Sequence, residues 1–256
     1  MRLSLTLIVS LHPTLGPSPS TPFPYSHRLN PSLTPFDPLE GIPFSEATVG
    51  EVLQRAGYDT ALVGKWHLGS HPSQHPLRRG FNRFFGFLSG GHRYQTSELT
   101  LHSLLDVKKT RDWYYTKLLS DYTTVEHYES EWITDELTRV ATEFIANHSV
   151  VKGPAAAGSS SEARRPFFLL LAYNAPHSPR EASPAHRARF AHVQPWWVGK
   201  YYATVAQMDD GVGNVTSALR THGLLDDTIL VFINDHGGKD ISVSSTYTYM
   251  YTLHVM

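Results

Sequence analysis

Residues 56–69 read Ala56-Gly57-Tyr58-Asp59-Thr60-Ala61-Leu62-Val63-Gly64-Lys65-Trp66-His67-Leu68-Gly69, and this stretch decides the architecture. Residues 60–63 are a compact apolar run between two glycines, a strand by length and punctuation. Just upstream, Thr48 and Glu51 form the pattern of a capping box. Val49, Val52, Leu53 and Ala56 follow at helical spacing, and Gly57 supplies the stop, so a short helix is predicted over 49–56. Helix, turn, buried strand and glycine-edged polar loop together make one unit of an α/β sheet.

The pattern repeats downstream. Trp132, Ile133, Leu137, Val140, Phe144 and Ile145 lie at helical intervals over 131–146. Residues 167–173 form a continuous apolar run, the mark of a strand covered on both faces. Val205, Met208, Val212, Val215 and Leu219 step by three and four along a helix that ends near Gly223, and residues 228–233 form the next buried strand. Alternating helices and buried strands predict an α/β fold with a largely parallel sheet flanked by helices.

The chain has 256 residues, with 22 basic against 23 acidic side chains and a net charge of -1, a balance that gives no electrostatic reason to bind nucleic acid. No stretch approaches the ~20 consecutive apolar residues of a transmembrane segment. Cysteine is absent, which removes disulfides, thiolate metal sites and cysteine nucleophiles together. Nine of the 17 prolines fall within the first 43 residues, so residues 12–43 are expected to be extended. The chain therefore divides into a Pro-rich segment at 1–43, a folded domain at 44–240 and a Ser/Thr/Tyr-rich tail at 241–256. The apolar run at the start of the first segment, residues 1–11, has the character of a weak secretory signal. Asn147-His-Ser149 and Asn214-Val-Thr216 are glycosylation triplets in a secreted or lysosomal protein. Residues 152–165 read as a surface insertion.

Three polar clusters follow predicted strands, where open α/β sheets gather ligands. Lys65 and His67 stand two residues apart between Gly64 and Gly69, a cation for an anion and an imidazole for a proton. His177 sits in Ala175-Pro176-His177-Ser178-Pro179, between two prolines that stiffen the loop. Asp235 and His236 follow the 228–233 strand and offer a carboxylate and an imidazole to a divalent cation.

The 56–69 stretch, Arg79-Gly-Phe-Asn82 and Phe85-Gly-Phe-Leu88 resemble consecutive blocks of the sulfatases of the alkaline phosphatase superfamily, and the later clusters follow in the family's order. The resemblance covers residues 21–239 apart from the 152–165 insertion and is closest to arylsulfatase-type members. It implies an alkaline phosphatase-like core and a calcium-dependent sulfuric ester hydrolase acting on a sulfated carbohydrate or a small aryl sulfate. In that family a formylglycine hydrate attacks sulfur. The resemblance casts Lys65 as the holder of the sulfate oxygens, His67 as a contact of the formylglycine, and His177 as a sulfate or leaving-oxygen contact. Asp235 and His236 become calcium ligands.

Two departures stand against this. The family's Cys or Ser nucleophile loop has no counterpart: Ser70-His-Pro-Ser-Gln74 lacks the arginine and lies on the wrong side of the 56–69 block. The family's first-strand Asp-Asp pair is missing as well, so the core is expected to be incomplete, with a gap or an exposed edge in the sheet. Asp209-Asp210 does not replace that pair, because it falls on a helix, and Lys239 is no convincing substitute for a family lysine. Hence the chain itself is expected to be inactive. A non-catalytic binder of sulfated ligands is the alternative, and a phosphatase or phosphodiesterase is the less favoured one.

Overall fold

The structure, a computed structural model, describes residues 4–10, 41–103, 111–149, 165–234 and 254–255. Its strands are β1 (Ser4–Ser10), β2 (Asp59–Lys65), β3 (Arg83–Phe87), β4 (Leu119–Ser120), β5 (Thr123–Thr124), β6 (Phe167–Ala172), β7 (Thr228–Asn234) and β8 (His254–Val255). The helices are α1 (Val49–Arg55), α2 (Ile133–Ser149), α3 (Pro184–Arg189) and α4 (Trp196–Thr221). One sheet runs in the order β5-β4-β3-β2-β6-β1-β7-β8. Its centre, β3-β2-β6-β1-β7, is parallel, and the short strands at its margins pair antiparallel.

The α1 capping box is present as read: Thr48 accepts from the Glu51 backbone N–H, and Glu51 accepts in return from that of Thr48. The predicted strands and the helices over 131–146 and 205–219 also form, though α4 starts at Trp196, nine residues before its apolar stripe begins. The Gly/Phe-rich stretch after residue 80 holds β3, which strand periodicity had not revealed because glycine interrupts it.

The expected gap in the sheet is filled. β1 lies between β6 and β7, in register from Leu5 with Phe168 to Val9 with Ala172 on one side and from Ser4 with Thr228 to Ser10 with Asn234 on the other. Seven residues from the apolar run suffice, because a central strand asks for backbone pairing on both edges and side chains that tolerate burial. Apart from β1, residues 41–43, Arg165 and β8, the Pro-rich segment, the 152–165 insertion and the 241–256 tail lie outside the described residues.

Alternation along the strands assigns the two faces. Ala61 and Val63 of β2 join Leu169 and Leu171 of β6 in a core covered by α2 and α4, while Leu62 and Phe168 face the opposite way, with Trp66, Phe81, Phe84 and Leu119. Thr138 of α2 shares a hydrogen bond with the Tyr173 hydroxyl (2.7 Å), which ties helix to sheet near the end of β6.

Arg79 anchors the segment that leads into α1. Its side chain is fully buried. Its Nε donates to Glu51 (3.0 Å), while its two terminal nitrogens donate to the carbonyls of Ile42 (2.7 Å) and Glu46 (2.8 Å) and to Gln74 Oε1 (2.8 Å). Asn82 meanwhile accepts from the Thr60 backbone N–H (3.0 Å) at the start of β2. The Arg79-to-Asn82 block therefore holds the strand in place rather than touching the site. Arg79→Ala strips several buried acceptors of their donor at once and should cost upwards of ~3 kcal/mol, seen as a lower urea midpoint. An unchanged midpoint would show that water replaces the guanidinium without penalty.

Candidate functional site

All three described sequence-predicted residues lie beyond the carboxyl ends of neighbouring strands. Lys65 closes β2, and His67 follows two residues on. The pairing with β3 continues past the strand, Trp66 N–H donating to the Phe87 carbonyl (3.0 Å) and His67 N–H to that of Leu88 (3.2 Å). His67 has φ of 53°, a left-handed backbone that a non-glycine residue holds only under constraint. His177 lies five residues past the end of β6, the strand paired with β2.

Two glycines bring the imidazoles together. A Cβ placed on Gly90 would lie 2.7 Å from His67 Nε2, and one on Gly91 would lie 2.6 Å from His177 Cε1. Any side chain at either position would displace a ring, so the Gly90-Gly91 backbone is the wall against which both histidines rest.

Hydrogen bonds then fix the His177 loop to the segment after β3. Asn174 accepts from the His92 backbone N–H (3.1 Å) and donates to the His92 carbonyl (2.8 Å). The buried Tyr94 hydroxyl donates to the His177 carbonyl (2.7 Å), with the Asn174 carbonyl at 3.2 Å. Burial pushes the Tyr94 phenol well above its ordinary range, which keeps the proton needed for that bond. His177 Nδ1 faces the Ser178 carbonyl at 2.7 Å. A carbonyl only accepts, so Nδ1 carries the proton of that bond.

Charge at the site is uneven. Lys65 is 7% exposed, which leaves its ammonium short of bulk water. Burial, the nearby Lys65 charge and His177 together hold His67 down to about 3. That ring is therefore neutral across the physiological range, and its Nε2 has no hydrogen-bond partner among the described residues. One cation and two close imidazoles form a cluster suited to an oxyanion with protons to exchange.

Asn174, Tyr94 and the Gly90-Gly91 pair were not singled out from sequence. Two signals were available: an amide ending the apolar run of β6, and a glycine pair directly after a Phe-rich stretch. Asp209 and Asp210 are both exposed on α4, and Asp210 pairs with His186 and Arg189 of α3. Asp235, His236 and Lys239 lie outside the described residues. β7, described through Asn234, ends at the same edge of the sheet. Among the described residues no group of three His, Asp or Glu side chains could hold a metal ion, and no helix is long and apolar enough to cross a membrane.

A family model described as Sulfatase matches residues 16–240. The chain belongs to the sulfatase family. Mus musculus N-acetylgalactosamine-6-sulfatase is 30% identical to this sulfatase over 218 residues, which cover 85% of the chain and 38% of the relative. Mus musculus arylsulfatase J is 28% identical over 207 residues, covering 80% and 31%. The chain thus spans about a third of the length of these curated relatives. Among solved structures, Ps i-CgsB in complex with a neocarrahexaose superposes with a TM-score of 0.71 at 27% identity, covering 93% of this sulfatase and 59% of that protein. The α/β sheet with its flanking helices is that of the solved alkaline phosphatase-like sulfatases, incompletely represented.

Three histidines are expected to lower the stability of this sulfatase in acid. His75 and His92, both fully buried, are held down to about 4 by burial, and His67 to about 3. The unfolded rings titrate near 6.5, so as pH falls below that value the unfolded chain takes up protons that the folded chain refuses. Stability should be unaffected by these groups above pH 7 and fall between about 6.5 and 4, with a slope approaching about 4 kcal/mol per pH unit near pH 5. Urea midpoints equal at pH 7 and pH 5 would contradict the neutral burial of these rings.

Proposed function

We propose that the protein is an arylsulfatase-type sulfuric ester hydrolase acting on sulfated carbohydrates, and that Lys65, His67 and His177 are its sulfate-recognition residues. The observation that carries this reading is the placement of His67 and His177 against the Gly90-Gly91 backbone with the Lys65 charge acting on His67. Lys65 neutralises the ester's anionic oxygens in a place where water screens little. His177, with Nδ1 committed to Ser178, exchanges protons through Nε2 with the leaving oxygen. His67, uncharged, donates or accepts a hydrogen bond beside them without adding a second positive charge. The carbohydrate preference is supported by relatives named for an amino-sugar sulfate and by a solved neighbour holding a neocarrahexaose.

Calcium, as the family's metal, would act as a Lewis acid on the sulfate, and Asp235 and His236 are its ligands in this reading. The donor set in the chain falls short of the six to eight oxygens calcium takes. β1, which pairs with β7, is followed by no acidic residue before Asp37. No step is therefore derived through the metal. The chain also contains no cysteine to become formylglycine, so recognition without turnover is the activity proposed for these residues taken alone. That makes a non-catalytic binder of sulfated ligands the second reading, favoured by a hydrogen-bonded frame that holds His177 with no nucleophile present. Export to the lysosome or cell exterior agrees with the family, with Asn147 as the better glycan acceptor. Both sequon asparagines are exposed and helical, Asn147 in the last turn of α2 and Asn214 in the interior of α4.

Calorimetric titration with galactose 6-sulfate tests the recognition site. Lys65→Ala should weaken binding at least tenfold, about 1.4 kcal/mol, and the 256-residue chain should release no nitrophenol from 4-nitrophenyl sulfate. Equal affinity of the two proteins would sink the assignment of Lys65. Turnover of the aryl ester would overturn the claim that this chain only recognises it.

A further inference from the structure

Where α3 turns into α4, a cavity of about 350 Å³ is lined by Arg187, Phe190, Val193, Trp196 and Lys200. Lys65, His67 and His177 take no part in it. We propose that this cavity docks an acidic linear segment of a partner protein. One apolar side chain of that segment enters between Phe190, Val193 and Trp196, and its flanking carboxylates pair with Arg187 and Lys200.

The cavity owes its shape to one glycine. A Cβ on Gly199 would lie 2.6 Å from the Phe190 carbonyl oxygen, so a bare backbone is what lets the connecting turn lie against the start of α4. The aromatic walls have little cover among the described residues. Trp196 keeps 69% of its surface exposed, and Tyr202, whose ring meets that of Phe190 edge-on at 5.9 Å, keeps 45%. A lone exposed apolar residue is ordinary, but tryptophan and arginine around one apolar recess are the composition of an interface centre.

Charge decides what enters. Between Ala182 and Met208 the sequence carries Arg187, Arg189 and Lys200, with His186 and His192, and no Asp or Glu. Asp210 holds His186 (2.9 Å) and Arg189 (3.4 Å), and Arg180 stands over the Tyr201 ring at 5.7 Å. The other acids packed nearby are engaged as well: Asp135 accepts from Gln207 (2.9 Å), and Glu181 contacts Arg93 (3.3 Å). Asp209 lies nine residues beyond Lys200 on α4, roughly 13 Å of helix rise and more than a Debye length at physiological salt. Arg187 and Lys200 thus remain as two cations on the cavity wall, in no ion pair among the described residues, and no acidic residue lines the cavity with them.

Concavity favours a peptide over a lipid surface. Two cations contribute only about 1 kcal/mol each at an anionic membrane, and the half-buried Phe190 and Val193 form a recess rather than an apolar face that lies among headgroups. An acidic peptide fills the recess with one side chain and offers carboxylates to a guanidinium, which can pair with them through two parallel bonds.

Fluorescence anisotropy of a labelled Glu-Glu-Leu-Phe-Glu-Glu peptide with the unaltered chain tests the site. Saturable binding is expected, weaker by at least about fivefold for Glu-Glu-Ser-Ser-Glu-Glu and absent for Lys-Lys-Leu-Phe-Lys-Lys. Trp196→Ala and Arg187→Glu, both at exposed positions, should each weaken the first peptide at least about fivefold with the urea midpoint unchanged. No saturable binding of the first peptide overturns the proposal, and so does equal affinity for the serine peptide. Unaltered affinity in both variants overturns the placement at this cavity. Two other occupants have their own signatures. Sedimentation with phosphatidylcholine–phosphatidylserine vesicles in place of peptide binding would assign the patch to a membrane and overturn the peptide. Self-association in the ultracentrifuge that Trp196→Ala abolishes and the peptide fails to compete would overturn it in favour of a second copy. The peptide comparisons need no variant, so they decide even where a substitution disturbs folding.

Discussion

The close approach of β2 to β6 at Gly64 is the constraint from which the site follows. Gly64 has φ of 115°, and a Cβ there would lie 1.9 Å from the Ala172 carbonyl oxygen. No L-residue with a side chain fits that space. With Gly64 level with Ala172, Lys65 leaves β2 at the height where Tyr173 and Asn174 leave β6. A parallel pair sets its side chains by register, and a slip of one residue would turn each strand's buried set to the wrong face. The level of the cation relative to the His177 loop is thus decided by backbone packing inside the sheet.

From that start the site is assembled by pieces of chain far apart in sequence. The segment after β3 supplies the Gly90-Gly91 wall and, through Asn174 and Tyr94, grips the segment after β6. Every polar group in this grip is buried, which makes each bond stronger than its counterpart in water and makes its loss more costly. The electrostatic outcome is a neutral imidazole beside a largely buried ammonium, since desolvation and the neighbouring charge both disfavour protonated His67. An oxyanion gains from such a place, because Lys65 attracts it and neither ring carries a fixed negative charge.

β1 shows what a central place in this sheet requires of the backbone. β1 pairs with β6 and β7 along most of its length, supplying the backbone bonds that a central position demands. In the sequence no acidic residue follows it before Asp37. Filling the architecture and furnishing the chemistry are therefore separate requirements, and β1 meets the first alone.

Much of this was legible in the linear pattern. The capping box at Thr48 and Glu51, the glycine-bounded run of β2, the unbroken apolar run of β6 and the three-four spacing of α4 each report a local preference that burial reinforces. The placement of Lys65, His67 and His177 at one edge of the sheet was legible too, because a residue that ends or closely follows a buried parallel strand has that edge to occupy. β3 was hidden by Gly86 within its five residues, and β1 by a run short enough to suit a signal segment equally well. What the sequence by itself determined was the class of fold, the order of its elements and the residue types delivered to one edge. Only the tertiary structure decided that Gly90-Gly91 would brace two imidazoles, that Tyr94 would hold the His177 loop, and that Arg93 would reach both Glu98 and Glu181 beside Tyr115. Apart from Arg93 with Glu98, those contacts join segments tens of residues apart, and their existence depends on strand register and close packing, quantities that no local pattern encodes.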